Sequence, residues 1–193
     1  VRQDTRNKQI QTTGYELRAF REQSTQLRWN LRSAWSLRIL ASSGQRSSQV
    51  TWLNSRDYRL RFEKIESQLA VALHTDFRAQ LHYRFKSDRK AFPGTKPKAT
   101  TREARAEFTY TPRRNMALST RLSRVDIRLE GDARSPAGFA ILNGLQPGKN
   151  WLWNLSADRQ LNRSLQLRVI YDGRKTGNNR VVHTGRVQVN AVF

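Results

Sequence analysis

Between Phe77 and Lys86 the chain alternates without a break, Phe77, Ala79, Leu81, Tyr83 and Phe85 against Arg78, Gln80, His82, Arg84 and Lys86. A period of two predicts a strand with one apolar and one polar face. Similar runs recur along the chain, and none sustains the 3.6-residue period of a helix. Tyr15, Arg18 and Phe20 mark a weak first run. Leu27, Trp29 and Leu31, opposed by Arg28, Asn30 and Arg32, mark a second; Leu37 and Ile39, opposed by Ser36 and Arg38, a third. Residues 58–73 make the fourth and the Phe77 run the fifth. Ala104, Ala106, Phe108 and Tyr110 carry the sixth, Met116, Leu118 and Leu122 the seventh, Trp151, Trp153, Leu155 and Ala157 the eighth. The last two set Leu165, Leu167, Val169 and Tyr171, then Gly185, Val187, Val189, Ala191 and Phe193, on one parity.

Two runs change parity. Tyr58, Leu60 and Phe62 give way to Ile65, Leu69, Val71 and Leu73, which predicts either a β-bulge or a strand leaving a bilayer. Leu118 and Leu122 give way to Val125, Ile127 and Leu129, which predicts a second bulge. The connections alternate in length. Tight turns near residues 33–34, 74–76, 112–115 and 162–164 separate long polar stretches at 42–56, 86–102 and 130–149, and a moderate one at 173–179. Transmembrane barrels show this asymmetry, with short periplasmic turns and longer outer loops. Residues 1–12 are polar and aperiodic and read as a linker or frayed terminus, leaving 13–193 as the barrel region. The chain opens on Val1, which fits a processed or truncated protein with any export signal upstream.

A soluble sandwich alternates too, so the identity of the polar residues has to decide. Arginine recurs there, at Arg28, Arg38, Arg78, Arg84, Arg105, Arg121, Arg168 and Arg186. A hydrated lumen accommodates these charges, whereas a lipid-facing arginine costs roughly 2–4 kcal/mol at mid-bilayer. Aromatics near the run ends, at Trp35, Tyr58, Phe77, Tyr110, Trp151 and Tyr171, suit interfacial girdles. The net charge of +21, carried by 28 Arg and 8 Lys against 15 acids, predicts affinity for polyanions. Basic loops facing outward suit the phosphates of outer-membrane lipopolysaccharide. Nucleic acid is disfavoured, because the basic residues are spread over faces, turns and loops rather than gathered in a stripe. A mean hydropathy of −0.78 is compatible with strands apolar on one face only. The absence of cysteine fits an exported protein without disulfides.

Candidate chemistry is sparse. His74, His82 and His183 occupy separate runs or turns without metal-ligand spacing. A hydrolytic Ser-His or Asp-His pair would need a serine or Asp158 within hydrogen-bond reach of His82, and nothing in the spacing supplies one. Residues 144–150 lack the Gly-x-x-x-x-Gly-Lys-Ser/Thr spacing of a phosphate loop, and Pro147-Gly148 reads as a turn. The expectation is a non-enzymatic chain with no cofactor.

The segments Gly144-Leu-Gln-Pro-Gly-Lys-Asn150, Trp153-Asn-Leu155, Tyr171-Asp-Gly-Arg-Lys175 and His183-Thr-Gly-Arg-Val-Gln-Val189, closing on Phe193, resemble the C-terminal β-barrel region of large outer-membrane and cell-surface proteins of Bacteroidota. Asn54-Ser55-Arg56-Asp57-Tyr58 adds to the likeness. The resemblance covers about the last third of the chain and departs from the family in its arginine richness. It implies an outer-membrane or cell-surface location and a missing N-terminal portion, and it supplies no catalytic residue.

The sequence therefore predicts an all-β, antiparallel up-and-down transmembrane β-barrel of about ten strands, the C-terminal part of a larger one. Gly185, Val187, Val189, Ala191 and Phe193 form its membrane-insertion strand, recognised by the barrel-assembly machinery. The expected role is an anchor for other cell-surface proteins, or an anion-favouring pore. The competing expectation is a soluble basic β-sheet protein that binds polyanions.

Overall fold

The computed structural model describes residues 2–10, 14–50, 57–90 and 97–191. Ten strands follow one another: β1 (Arg2–Ile10), β2 (Gly14–Arg32), β3 (Trp35–Val50), β4 (Tyr58–His74), β5 (Phe77–Lys90), β6 (Lys98–Arg113), β7 (Met116–Glu130), β8 (Gly148–Gln160), β9 (Leu165–Thr176) and β10 (Val182–Ala191). One short helix, α1 (Pro136–Leu142), interrupts them between β7 and β8. Every strand pairs antiparallel with its sequence neighbour, giving one ten-stranded sheet in the order β1 to β10, an all-β, barrel-like fold. The sheet's two edges are β1 and β10, each with one partner among the described residues.

Several expected boundaries are corrected. Arg2–Ile10, read as linker or frayed terminus, pairs residue by residue with β2. The first two runs are one strand of 19 residues, β2, and the stretch from Ser42 to Val50 is the far half of β3 rather than a connection. Likewise β5 continues to Lys90 and β6 starts at Lys98. Neither parity switch is a bulge: β4 keeps continuous register with β3 from Tyr58 to Val71, and β7 with β8 from Met116 to Ile127. The register shifts sit beside the tight turns, at Asn30/Arg32, Ala72/His74 and Tyr110/Arg113. Asn54, Ser55, Arg56 and Phe193 lie outside the described residues.

The turns are bound to one another. Ala72 N–H donates to Ala34 O at 2.8 Å, Thr111 N–H to Asp76 O at 2.7 Å and Gln160 N–H to Asn115 O at 2.8 Å. Three of the four tight turns thus give a carbonyl to the next hairpin, stitching the short-turn rim from β3 to β8. A sheet of this size must curl. Contacts between strands two apart give the direction: the Phe20 and Phe62 rings stack at 5.8 Å, Lys64 meets Glu22 at 3.4 Å and Arg46 meets Asp88 at 3.3 Å. The face carrying these residues is the inner face, and α1 folds against it.

Helix α1 is built by its caps. Ser135 accepts from the Gly138 amide at 3.0 Å, Pro136 opens the first turn, and Asn143 in the left-handed region returns its N–H to Phe139 O. A Cβ on Gly138 would collide with the Asp132 carbonyl, so only glycine lets the helix sit this close to the preceding loop. Ala137 and Ile141 pack on Leu60 of β4 and Ala99 of β6, while Leu142 packs on Val125 and Ile127 of β7. Leu60 is fully buried. The leucine, isoleucine and valine side chains among them each contribute roughly 1.5–3 kcal/mol when withdrawn from water. This apolar core lies at the long-loop end, and it explains the parity switches. Near the short turns the apolar residues of β4 and β7 face outward; near α1 they face inward. Tyr58, assigned by sequence to an outer girdle, belongs to this inner core.

Buried Asn150 closes the return from α1 to β8. Its amide donates to Val125 O at 3.3 Å, Gln146 O at 2.8 Å and Gly148 O at 3.1 Å, and its oxygen accepts from Gln146 N–H at 3.2 Å. Both ends of the amide are thus partnered, the two N–H groups shared among three carbonyls, as a fully buried amide requires.

Candidate functional site

The outer face carries an apolar band on its short-turn half. Cross-strand rows such as Leu37–Leu69–Leu81–Ala106–Leu122–Trp153 run through it in register. On β5 the band extends from Phe77 to Phe85, roughly 25–30 Å along the strand at ~3.4 Å per residue. Toward the short turns Phe77 stacks on Phe108 at 6.3 Å and lies tilted against Tyr110 at 6.4 Å. On β8 to β10, Trp153 lies over Gly173 with its ring 5.9 Å from His183, and Tyr171 hydroxyl meets His183 Nδ1 at 2.7 Å. Gly185, Val187, Val189 and Ala191 continue the band on edge strand β10, with Val187 67% exposed.

Gly173 is there so that Trp153 can lie flat. A Cβ at that position would overlap the indole ring. We expect Gly173→Ala to displace Trp153 and to destabilise the fold by about 1–3 kcal/mol, the range for overpacking. Indole fluorescence and near-ultraviolet dichroism should change together with the urea midpoint. An unaltered spectrum would show that the ring does not need this seat.

The inner face is polar below the α1 core. Register places all eight sequence-selected arginines on it. Arg28 lies opposite Arg38, which bonds Gln68; His82 lies opposite Arg105; Arg78, Arg84, Arg121, Arg168 and Arg186 share that parity. The sequence reading missed their acidic partners. Lys64 and Arg84 flank Glu66 at 3.6 and 3.7 Å. Arg84 and Arg105 both bind Glu103, Arg105 reaches Glu107 at 3.6 Å, and Arg121 binds Glu107 at 2.8 Å. Four strands are thereby crossed by an unbroken order of charges, Lys64–Glu66–Arg84–Glu103–Arg105–Glu107–Arg121. Arg168 pairs with Asp158 separately. Among the described residues, Arg28, Arg38, Arg78 and Arg186 form no ion pair.

Asp88, with a fully buried side chain, lies between Arg46 at 3.3 Å and Lys86 at 2.8 Å, beyond the apolar band. Lys86 also stands 5.5 Å from the Phe62 ring centre.

Glu103 is the centre of the ladder, its side chain only 6% exposed. Its two arginines are about one-third exposed, so solvent screens part of the interaction. We expect Glu103→Gln to lower stability by about 1–2 kcal/mol, the worth of charge-assisted bonds to a buried acceptor. A chemical-denaturation midpoint measures it; an unchanged midpoint would mean that the arginines find equivalent partners.

His82 lies in a cleft of about 220 Å³ lined by Arg38, Glu66, Arg84, Glu103 and Arg105. Its Nε2 is buried with no hydrogen-bond partner, and no described serine or aspartate bonds its ring. His74 sits at a tight turn and His183 on the outer face. Among the described residues no three His, Asp or Glu side chains group as a metal site, and no helix is long and apolar enough to cross a membrane.

No known family model matches the chain, and no curated protein does. Two solved structures of OmpT, an outer membrane protein of Vibrio cholerae, are similar to it. The outer-membrane expressed form has a TM-score of 0.49 at 8% identity, over 84% of this chain and 54% of that one. The in-vitro folded form has a TM-score of 0.49 at 8% identity, over 92% of this chain and 62% of that one. The chain thus spans less than two thirds of either structure.

Proposed function

We propose that this chain is wall of an outer-membrane β-barrel, serving as an anchor or pore component at the cell surface, with the arginine-bearing inner face as its lumen. The observation that carries the reading is the outward apolar band, kept in register from β2 to β10 beside the short turns. Leu27, Trp29, Leu73, Leu81 and Val187 are each more than half exposed. A contiguous apolar surface of that extent is costly in water and is what lipid requires. Open sheet edges are not tolerated in lipid, so further strands or another chain would have to satisfy β1 and β10. The tail's likeness to Bacteroidota cell-surface barrels agrees with this location.

The ionic ladder changes the expected pore. Four of the eight lumenal arginines are compensated by carboxylates, so anion selectivity would be weaker than the arginine count implies. The protein should partition into detergent from an outer-membrane fraction and migrate faster on gels before heating than after. A chain that stays monomeric in detergent-free buffer and elutes from heparin in that state would instead be the soluble polyanion binder.

A further inference from the structure

On the inner face Glu66, Glu103 and Glu107 each lie between two cations. On the outer face, immediately beyond the apolar band, Arg102, Arg124, Lys149 and Lys175 are exposed. None of the four forms an ion pair among the described residues. Register arranges them in two neighbouring rows: Arg102, Asp126 and Lys149 across β6, β7 and β8, then Arg124, Trp151 and Lys175 across β7, β8 and β9. Asp126 is the one carboxylate within this group. The Arg124 guanidinium stands 5.5 Å from the Trp151 ring centre.

Strands lie ~4.8 Å apart and residues on one face of a strand ~7 Å apart, so each cation stands within about 10 Å of the next, and the outermost two, Arg102 and Lys175, are about 16 Å apart, within reach of long flexible arms. Such a group satisfies the oxygens of a phosphoryl headgroup better than it satisfies one aspartate. From Trp151 the same face of β8 continues through Trp153 and Leu155 into the band. A ligand held here by its charge therefore lays an apolar body along those side chains. Free phosphate offers no such body; a lipid does. Resting on the outer-membrane reading above, we infer that Arg102, Arg124, Lys149 and Lys175, with Trp151, form a binding site for the phosphoryl headgroup of a membrane lipid in the leaflet on the long-loop side.

The test refolds the full chain in uncharged detergent micelles containing diphosphoryl lipid A and counts the lipid that co-elutes with protein. The wild type should retain it. Retention should need about tenfold more lipid after Arg102→Gln, Arg124→Gln, Lys149→Gln and Lys175→Gln are combined, since each cation near a charged membrane surface contributes appreciably. A second variant removing four exposed charges at the short-turn rim, Arg113→Gln, Arg114→Gln, Arg159→Gln and Arg163→Gln, should bind as the wild type does. Equal retention by the first variant overturns the site, and so does equal loss by the second. Displacement of the lipid by equimolar inorganic phosphate would make the site one for free anions instead. A heat-modifiable wild type that retains no lipid sinks the lipid site alone. A wild type that never becomes heat-modifiable sinks the membrane reading and the lipid site with it.

Discussion

Leu81→Arg should destabilise the protein in lipid vesicles by about 2–4 kcal/mol, the cost of placing a cation on the mid-bilayer face of a barrel. Leu81 is 53% exposed and points outward, with Leu69 and Ala106 beside it in register, near the middle of the band. In an aqueous fold the same exposed strand position would accept arginine within about 0.5 kcal/mol. Ser87, six residues further along β5 on the same face, lies past the band, so Ser87→Arg should be nearly neutral in either environment. Urea titrations of both variants, followed by tryptophan emission in vesicles, give the comparison. Equal, small changes for the two would mean that the band does not face lipid.

The second large effect concerns α1. Ile141 is buried among Leu60, Ala99 and Ala137, and Ile141→Asp would put a carboxylate there without a cation. Burying an unpaired charge costs several kcal/mol, more than a seven-residue helix gains by docking, so the helix should leave the inner face rather than accept it. The strands keep their own pairing. Residues 131–147 should therefore become sensitive to limited proteolysis while the folded, heat-modifiable form persists. In planar bilayers any conductance should rise, because α1 with Phe139, 70% exposed, then no longer stands over the inner face. Unchanged protection would place the helix's hold elsewhere, in Ser135, Asn143 and Asn150.

What the sequence revealed depends on which side of a strand is wet. Within the band one face is apolar and the other charged, and the Phe77–Lys86 run was readable to the residue. Beyond it the outer face turns polar: Ser43, Gln45 and Ser47 face out on β3 while Ser42, Arg46 and Ser48 face in, leaving no alternation to detect. There Val125, Ile127 and Leu129 mark an inner core made by α1, a helix too short to show a period of its own. The arginines could be chosen by parity alone. Glu66, Glu103 and Glu107 were legible as partners only once register set them across strands, and register is what a single chain does not display.

The stitched rim and the strict neighbour-to-neighbour pairing have a consequence for how such a wall can change. Each hairpin touches chiefly the hairpins before and after it, so the sheet behaves as a linear array whose unit is two strands. Adding or removing one unit returns the chain to the same rim and leaves the inward and outward parity of every other strand intact. A single strand does neither. On the barrel-wall reading proposed above, the circumference would thus be rescaled in whole hairpins without redesigning the apolar outward surface.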